Sequence, residues 1–218
     1  MAIPPDSVPA LVPAAPAEPR STELPSTELP STELPSTGPP SIEPVNAGPP
    51  STEPVNAGPP STGPLSTGRL LLRPVRDTDL DAVTRLWTDP DVRRHLGGPV
   101  IESVIRIRRG RIVGAPGFHA VVRAEDEVVL GLVTVEPGAR GGETELSYQF
   151  LPEHWGRGYA REAVGAVVAW ILEGTPSVVA VTQEGNRRSR RLLEAVGLEY
   201  AESFVEWDAH QVLYRRRA

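Results

Sequence analysis

The chain changes character at Gly68, and that break limits what it can fold into more than any other feature. Residues 1–68 hold 18 of the 25 prolines and no aromatic residue. STELP runs three times from Ser21 to Pro35, and STGPP, SIEPVNAGPP, STEPVNAGPP and STGPL follow. A five-residue unit is too short to build a core by stacking. Proline removes N–H donors and there is little apolar surface to bury, so the entropy of ordering is not offset. Residues 1–68 are therefore expected to be a disordered tail of polyproline II character. Residues 69–218 are expected to form one folded domain.

Charge divides at the same place. The tail carries seven acids and Arg20, so the whole net charge of −6 lies there and the remainder is balanced. A neutral domain has no broad field for nucleic acid, and none is expected as a partner. All 22 basic residues are arginine, as GC-rich coding would produce. The absence of cysteine excludes disulfides, thiolate metal sites and a cysteine nucleophile. His95, His119, His154 and His210 have no metal-ligand spacing, so no metal is expected. The first twenty residues lack a basic n-region, and prolines interrupt any apolar core there. No stretch reaches the roughly 18 apolar residues of a membrane span. The expectation is a soluble, cytoplasmic protein without a membrane partner. LPSTG at 34–38 copies the LPxTG wall-sorting signal, but a soluble domain follows it, and the match is read as a product of the repeat.

Within 69–218 the pattern alternates between strand and helix. RLLLRPV (69–75) reads as a strand. Thr78 with Asp81 resembles a capping box ahead of Leu80, Val83, Leu86 and Trp87, whose spacing is helical to about Asp89-Pro90. DVRRHL is a short helical piece, and 99–117 fits either helix or strand. FHAVVRA and EVVLGLVTVEP read as antiparallel strands turning at Glu125-Asp126, with PGARGG as a loop. ETELSYQFL (143–151) alternates, with Leu146, Tyr148 and Phe150 on one face and Glu145, Ser147 and Gln149 on the other. Ala160, Ala163, Val164, Val167, Val168 and Ile171 mark one face of an amphipathic helix. SVVAVT (177–182) reads as a buried strand. Asn186 caps a helix that runs to Val196 and stops at Gly197. FVEW and QVLYRR are the last strands. The order β-α-(α)-β-β-β-α-β-α-β-β implies an α/β domain, a mixed sheet with helices on both sides.

The segment HWGRGYAREA (154–163) places Gly156 and Gly158 between a strand and a helix start. A helix N-terminus presents unpaired N–H groups and partial positive charge, and glycine lets backbone approach a ligand closely. Together they make a cradle for an anionic group. The spacing is neither that of a P-loop nor the G-x-G-x-x-G of a dinucleotide fold. Trp155 and Tyr159 either border this cradle or pack the helix on the sheet. Arg157 either meets phosphate or is solvated, and Arg187, Arg188, Arg190 and Arg191 read as a solvated helix face.

WGRGYAREA, preceded by ELSYQFLPE and followed by NRRSRRLLEAVGL, resembles the GNAT superfamily of acyl-CoA-dependent N-acetyltransferases. The superfamily pattern Q/R-x-x-G-x-G/A reads here Trp155-Gly156-Arg157-Gly158-Tyr159-Ala160. The tryptophan, the opening LLLRPVRDTDLDAVTRLWTDPDVRRHL and Asn186-x-x-Ser189 are similar to the RimJ/RimL-type branch. The likeness covers about 69–215. It implies a GNAT-like fold, a mostly antiparallel sheet splayed between its fourth and fifth strands, 143–151 and 177–182. It further implies acetyl-CoA as co-substrate. Trp155, Gly156, Arg157, Gly158, Tyr159 and Ala160 would surround its pyrophosphate, Phe150 and Leu151 would meet the thioester through their backbone, and Asn186 would hydrogen-bond the pantetheine.

The resemblance also implies the reaction, direct transfer to a primary amine in a ternary complex. An α-amine of pKa near 8 is about one-tenth neutral at pH 7, whereas a lysine-like amine near 10.4 is neutral about once in a few thousand. Glu145 stands where the family often carries its base, with Glu143 as the fallback. The tyrosine that many members place on the last helix is replaced by Leu193. Ser189 is expected to hydrogen-bond or orient the sulfur. The acceptor would be a protein N-terminus, an amino acid or a small amine, and the chain a monomer or homodimer. The alternative is a non-catalytic acyl-CoA-binding sensor or interaction module.

Overall fold

Short runs of β-branched and aromatic residues, separated by turns and three helical segments, assemble here into one sheet. The computed structural model of the chain describes residues 64–218. The repeat region 1–63, with its expected polyproline character, lies outside the described residues. In chain order the elements are β1 (Leu65–Ser66), β2 (Leu70–Pro74), α1 (Leu80–Thr88), α2 (Pro90–Arg93), α3 (Glu102–Ile112), β3 (Phe118–Arg123), β4 (Val129–Arg140), β5 (Glu143–Phe150), α4 (Tyr159–Leu172), β6 (Ser177–Gln183), α5 (Arg187–Ala195), β7 (Glu199–Glu206) and β8 (Ala209–Arg217). The sheet order is β1-β2-β3-β4-β5-β6-β8-β7. Each neighbouring pair is antiparallel except β5–β6, whose crossover is α4. The expected mixed, mostly antiparallel α/β architecture is what forms.

The parallel pair is brief. β5 and β6 keep register only at Thr144↔Val178 and Glu145↔Val179. Beyond them β5 stays paired with β4 to Phe150, and β6 stays paired with β8 to Gln183. The two strands therefore part after Glu145, and among the described residues the β6-facing edge of β5 from Leu146 to Phe150 has no strand paired to it.

Neighbouring residues of β3 enter different cores, so the sheet is covered on both faces. Val121 packs with Val164, Val167, Val168 and Ile171 of α4 and Leu193 of α5. Ala120 and Val122 pack with Val83, Leu86 and Trp87 of α1 and Ile105 and Ile112 of α3. A bulge in β4 sits at the centre: Val121 pairs with Gly131 and Val122 with Val129, leaving Leu130 extra. Gly131 is forced by close approach, since a Cβ there would lie 2.3 Å from the Gln149 carbonyl oxygen.

One local reading is settled and three change. The segment 99–117 is helical over Glu102–Ile112, because Ile105 and Ile112 bury one face while Arg106 and Arg111 remain exposed. The PGARGG loop is mostly strand: β4 continues to Arg140, and the chain reverses at Gly141 and Gly142, with φ of 59° and 84°. The capping box of Thr78 and Asp81 does not form. Asp79 takes the position instead, accepting from the Arg76 N–H at 2.8 Å, because its carboxylate is drawn to the buried guanidinium of Arg73 at 2.6 and 3.0 Å. Leu65 and Ser66, read as tail, pair with Leu72 and Leu71.

Candidate active site

The turn that follows β5 is built from backbone conformations only glycine adopts easily. The Leu151 N–H donates to Leu130 O at 2.9 Å, a single 3₁₀ turn spans Pro152–His154, and Gly156 and Gly158 have φ of 74° and 80°. L-residues avoid that region. Gly158 is the N-cap of α4, and no side chain caps the helix. Glu162, in the first turn, is drawn elsewhere: its carboxylate accepts from Thr67 Oγ1 at 2.6 Å, Arg69 N at 2.9 Å and Arg69 Nε at 2.7 Å. Burial alone would raise its pKa, but these donors outweigh it and hold it below the usual range. Arg157 and Arg161 are exposed beside the turn. The open space before Gly156, the uncapped first turn and the arginines fit a pyrophosphate.

Trp155 and Tyr159 divide the two roles that the sequence leaves open. Tyr159 is buried in the α4–α5 core, with the Arg69 guanidinium 4.7 Å from its ring centroid. Trp155 is on the surface. Its Nε1–H donates to Phe150 O at 2.7 Å, and Arg188 stacks on its indole at 5.0 Å. The indole thus ties the turn after β5 to the start of α5. Leu151 is buried with the α1–α3 core, and Ala160 is half-buried against the other.

Asn186 caps α5 through Oδ1, which accepts from Ser189 N at 3.2 Å. Ser189 in turn meets Tyr148 of β5, with 2.8 Å between the two hydroxyl oxygens. Burial pushes the Tyr148 phenol up to about 12, and the serine hydroxyl offsets that only in part. Leu193 is fully buried.

Glu145 lies on the other face of β5, away from Ser189. Its carboxylate receives Arg140 Nε at 3.3 Å, and Arg140 also donates to Glu206 at 3.3 to 3.4 Å. Glu136 of β4 is the cross-strand partner of Glu145. Burial first, and the Glu145 charge second, raise the Glu136 pKa above the usual carboxylate range. Glu143 is committed elsewhere: Arg215 binds it at 2.7 to 3.0 Å, Ser177 donates at 2.6 Å, and the Arg215 bonds hold its pKa down despite burial. Among the described residues no three His, Asp or Glu side chains are grouped to hold a metal, and no helix is long and apolar enough to cross a membrane.

The structure thus brings together the turn Trp155–Ala160 with Phe150, and Asn186 with Ser189. Glu145 stands on the opposite sheet face. Sequence alone gives no role to Tyr148, Glu136, Arg140 or Glu206. Alternation puts Tyr148 on the strand face it occupies, but its partner is 41 residues away. Glu136 becomes visible only once PGAR is recognised as strand, since that hairpin sets it opposite Glu145.

A family model of the acetyltransferase (GNAT) domain matches residues 69–199. The chain belongs to the GNAT acetyltransferase family. It is 26% identical over 159 residues to the uncharacterized N-acetyltransferase YoaA of Bacillus subtilis, which covers 61% of this chain and 81% of that protein. A GNAT-family acetyltransferase from Bacillus anthracis superposes with a TM-score of 0.65 at 21% identity, covering 71% of this chain and 98% of that one. The spermidine N-acetyltransferase of Vibrio cholerae, solved with CoA and spermine, superposes at 0.57 with 16% identity, covering 69% and 96%.

Proposed function

We propose that the protein transfers the acetyl group of acetyl-CoA to a primary amine by direct attack in a ternary complex. One observation carries this reading. The opening between β5 and β6, which keep register only through residues 144–145 and 178–179, leads along a bare strand edge to the uncapped N-terminus of α4. Backbone N–H groups from Gly156 to Ala160 hold the pyrophosphate, with Arg157 at its side. The β5 edge and the Asn186 amide hold the pantetheine amides, and the backbone at Phe150–Leu151 borders the arm. Acetyl-CoA supplies an activated acyl thioester.

The opposite face handles the acceptor. Glu145 and Glu136 receive the amine proton, directly or through water, and Arg140 sets the direction of Glu145. Burial first, and the neighbouring Glu145 charge second, raise the Glu136 pKa, which makes it a stronger base than an ordinary carboxylate. The Trp155 variant of the glycine motif and the Asn186-x-x-Ser189 element favour the RimJ/RimL-type branch.

A thermal melt of the full chain with and without acetyl-CoA tests the cofactor assignment. A ligand that binds only the native state stabilises it by about 2.7 kcal/mol at a hundred times Kd. An upward shift, followed by thiol release in the presence of amines, supports the reading. No shift at millimolar acetyl-CoA, with CoA equally silent, removes it.

A further inference from the structure

The turn that opens α4 is held from behind by residues at the start of the domain. Arg69 lies just ahead of β2, 93 residues before Glu162, and its guanidinium serves two groups at once. Nη1–H donates to Arg157 O at 3.2 Å, while Nε and Nη2 both lie 2.7 Å from Glu162 Oε2. Thr67 Oγ1 and the Arg69 N–H donate to the other carboxylate oxygen at 2.6 and 2.9 Å. The same guanidinium lies over the Tyr159 ring, and a Cβ on Gly158 would come within 3.4 Å of Nη2. Arg157, Gly158, Tyr159 and Glu162 thus all meet one side chain.

These contacts set what the turn presents to a ligand. A trans peptide points its N–H away from its C=O. With Arg157 O bound to Arg69, the Gly158 N–H faces away from Arg69. The Glu162 N–H closes the first turn on Gly158 O at 3.1 Å, and the N–H groups ahead of it have no acceptor within the helix. Glu162 is the acid of that first turn. An acid there suits an isolated helix, because it offsets the partial positive charge of the N-terminus. Where that charge has to attract a phosphate, the carboxylate competes with the ligand. Arg69 removes the competition: its charge cancels that of Glu162, and with Thr67 it occupies both oxygens. A half-exposed ion pair contributes little to stability. Its larger effect is on the charge of the cradle.

We infer that Arg69 is a positioning residue of the cofactor cradle: it turns the Arg157–Gly158 peptide and neutralises Glu162, so that the α4 N-terminus meets the CoA pyrophosphate with its positive charge unopposed. The inference rests on the acetyl-transfer reading above. It extends the cofactor site beyond the glycine motif to the Thr67–Arg69 segment that leads into β2.

Titration calorimetry of the full chain with CoA tests it. Losing one oriented contact to a charged group corresponds to about a ten-fold loss of affinity. Arg69→Ala should weaken CoA by about that factor. The double variant Arg69→Ala/Glu162→Gln, in which both charges are gone, should bind within about three-fold of wild type. Turnover adds a readout that a packing role would not move. With acetyl-CoA, Arg69→Ala should raise KM about ten-fold and leave kcat within about two-fold. With acetylpantetheine, which carries the same thioester and no pyrophosphate, Arg69→Ala and wild type should have the same kcat/KM. A residue that merely packed the turn would affect both donors alike. If Arg69→Ala fails to fold, Arg69→Lys carries the same titration, because lysine keeps the charge and lacks the fork that spans Glu162 and Arg157 O; it should weaken CoA about three-fold. CoA affinity at the wild-type value in the Arg69 variants, or a loss that the double variant does not reduce, overturns the positioning role and leaves the transfer reading standing. A wild-type chain that does not bind CoA overturns the transfer reading, and this role with it.

Discussion

Two arginines meet carboxylates near the sheet in opposite ways. Arg73 and Asp79 form a closed pair: two bonds of 2.6 and 3.0 Å, side chains 8% and 3% exposed, and a third donor in the Arg76 N–H. Every lone pair that matters is used, and one charge cancels one charge. Arg140 stands at longer range, 3.3 to 3.4 Å from Glu145 and Glu206, and is about one-third exposed. Glu136 adds a further carboxylate opposite Glu145, so this group is over-supplied with negative charge. A buried pair that balances reads as architecture. A half-buried group with surplus anions and loose contacts can exchange a proton or receive a cation, and it lies on the side where the acceptor is proposed to enter.

The largest effect should come from breaking the closed pair. Asp79→Ala leaves an unpaired buried guanidinium, and denaturant unfolding should show a loss of about 3–5 kcal/mol. Burial alone would raise the Asp79 pKa, but Arg73 and the Arg76 N–H outweigh it and hold it low. Its stabilisation is therefore full above the unfolded value near 3.9 and disappears as pH falls through the lower folded value. The Asp79→Ala deficit should shrink in that acid window. A loss below about 1 kcal/mol at neutral pH would erase the contrast between the two groups.

Glu136→Gln comes next and should separate activity from stability. Its raised pKa has the opposite sign: the associated stability is full below the unfolded value near 4.3 and lost as pH rises through the higher folded value. Removing the charge should leave the melting temperature at pH 7 unchanged or slightly higher, while kcat/KM falls about a hundred-fold. The acid limb of the wild-type pH profile should lie above the ordinary carboxylate range. A variant as active as wild type would make this group structural as well. The smallest effect belongs to the exposed pair of Arg85 and Glu153 at 2.8 Å, with side chains 53% and 45% exposed. Arg85→Ala should cost no more than about 1 kcal/mol in the same unfolding measurement. A larger loss would show that exposure is not what separates the pairs.

The parts of the site that are contiguous in the chain were legible. Trp155 to Ala160 form one turn, so glycine spacing and the helix pattern behind it describe the cradle without reference to anything distant. The Asn186 cap is equally local. The α3 segment resisted because its arginines allow either period, and only burial of Ile105 and Ile112 against α1 settles it. Asp79 displaced the Thr78–Asp81 box because a guanidinium from β2 competes for carboxylate, and local propensity has no term for that. Tyr148 was placed on its face, but nothing in 143–151 says that Ser189 lies across from it.

What the sequence determined by itself is what acts over a few residues: most of the order of strands and helices, with 65–66, 99–117 and 137–142 as the exceptions, the glycine turn at 156 and 158, the amphipathic face of α4 and the Asn186 cap. Backbone sterics, side-chain periodicity and local hydrogen bonds are enough for these. Tertiary structure alone decided how Arg140 is shared between Glu145 and Glu206, that Glu136 faces Glu145, and that Tyr148 reaches Ser189 where β5 and β6 part. Those arrangements depend on strand register and on the point at which two strands separate. Both follow from how both faces of the sheet pack at once, and no short window of the chain contains that information.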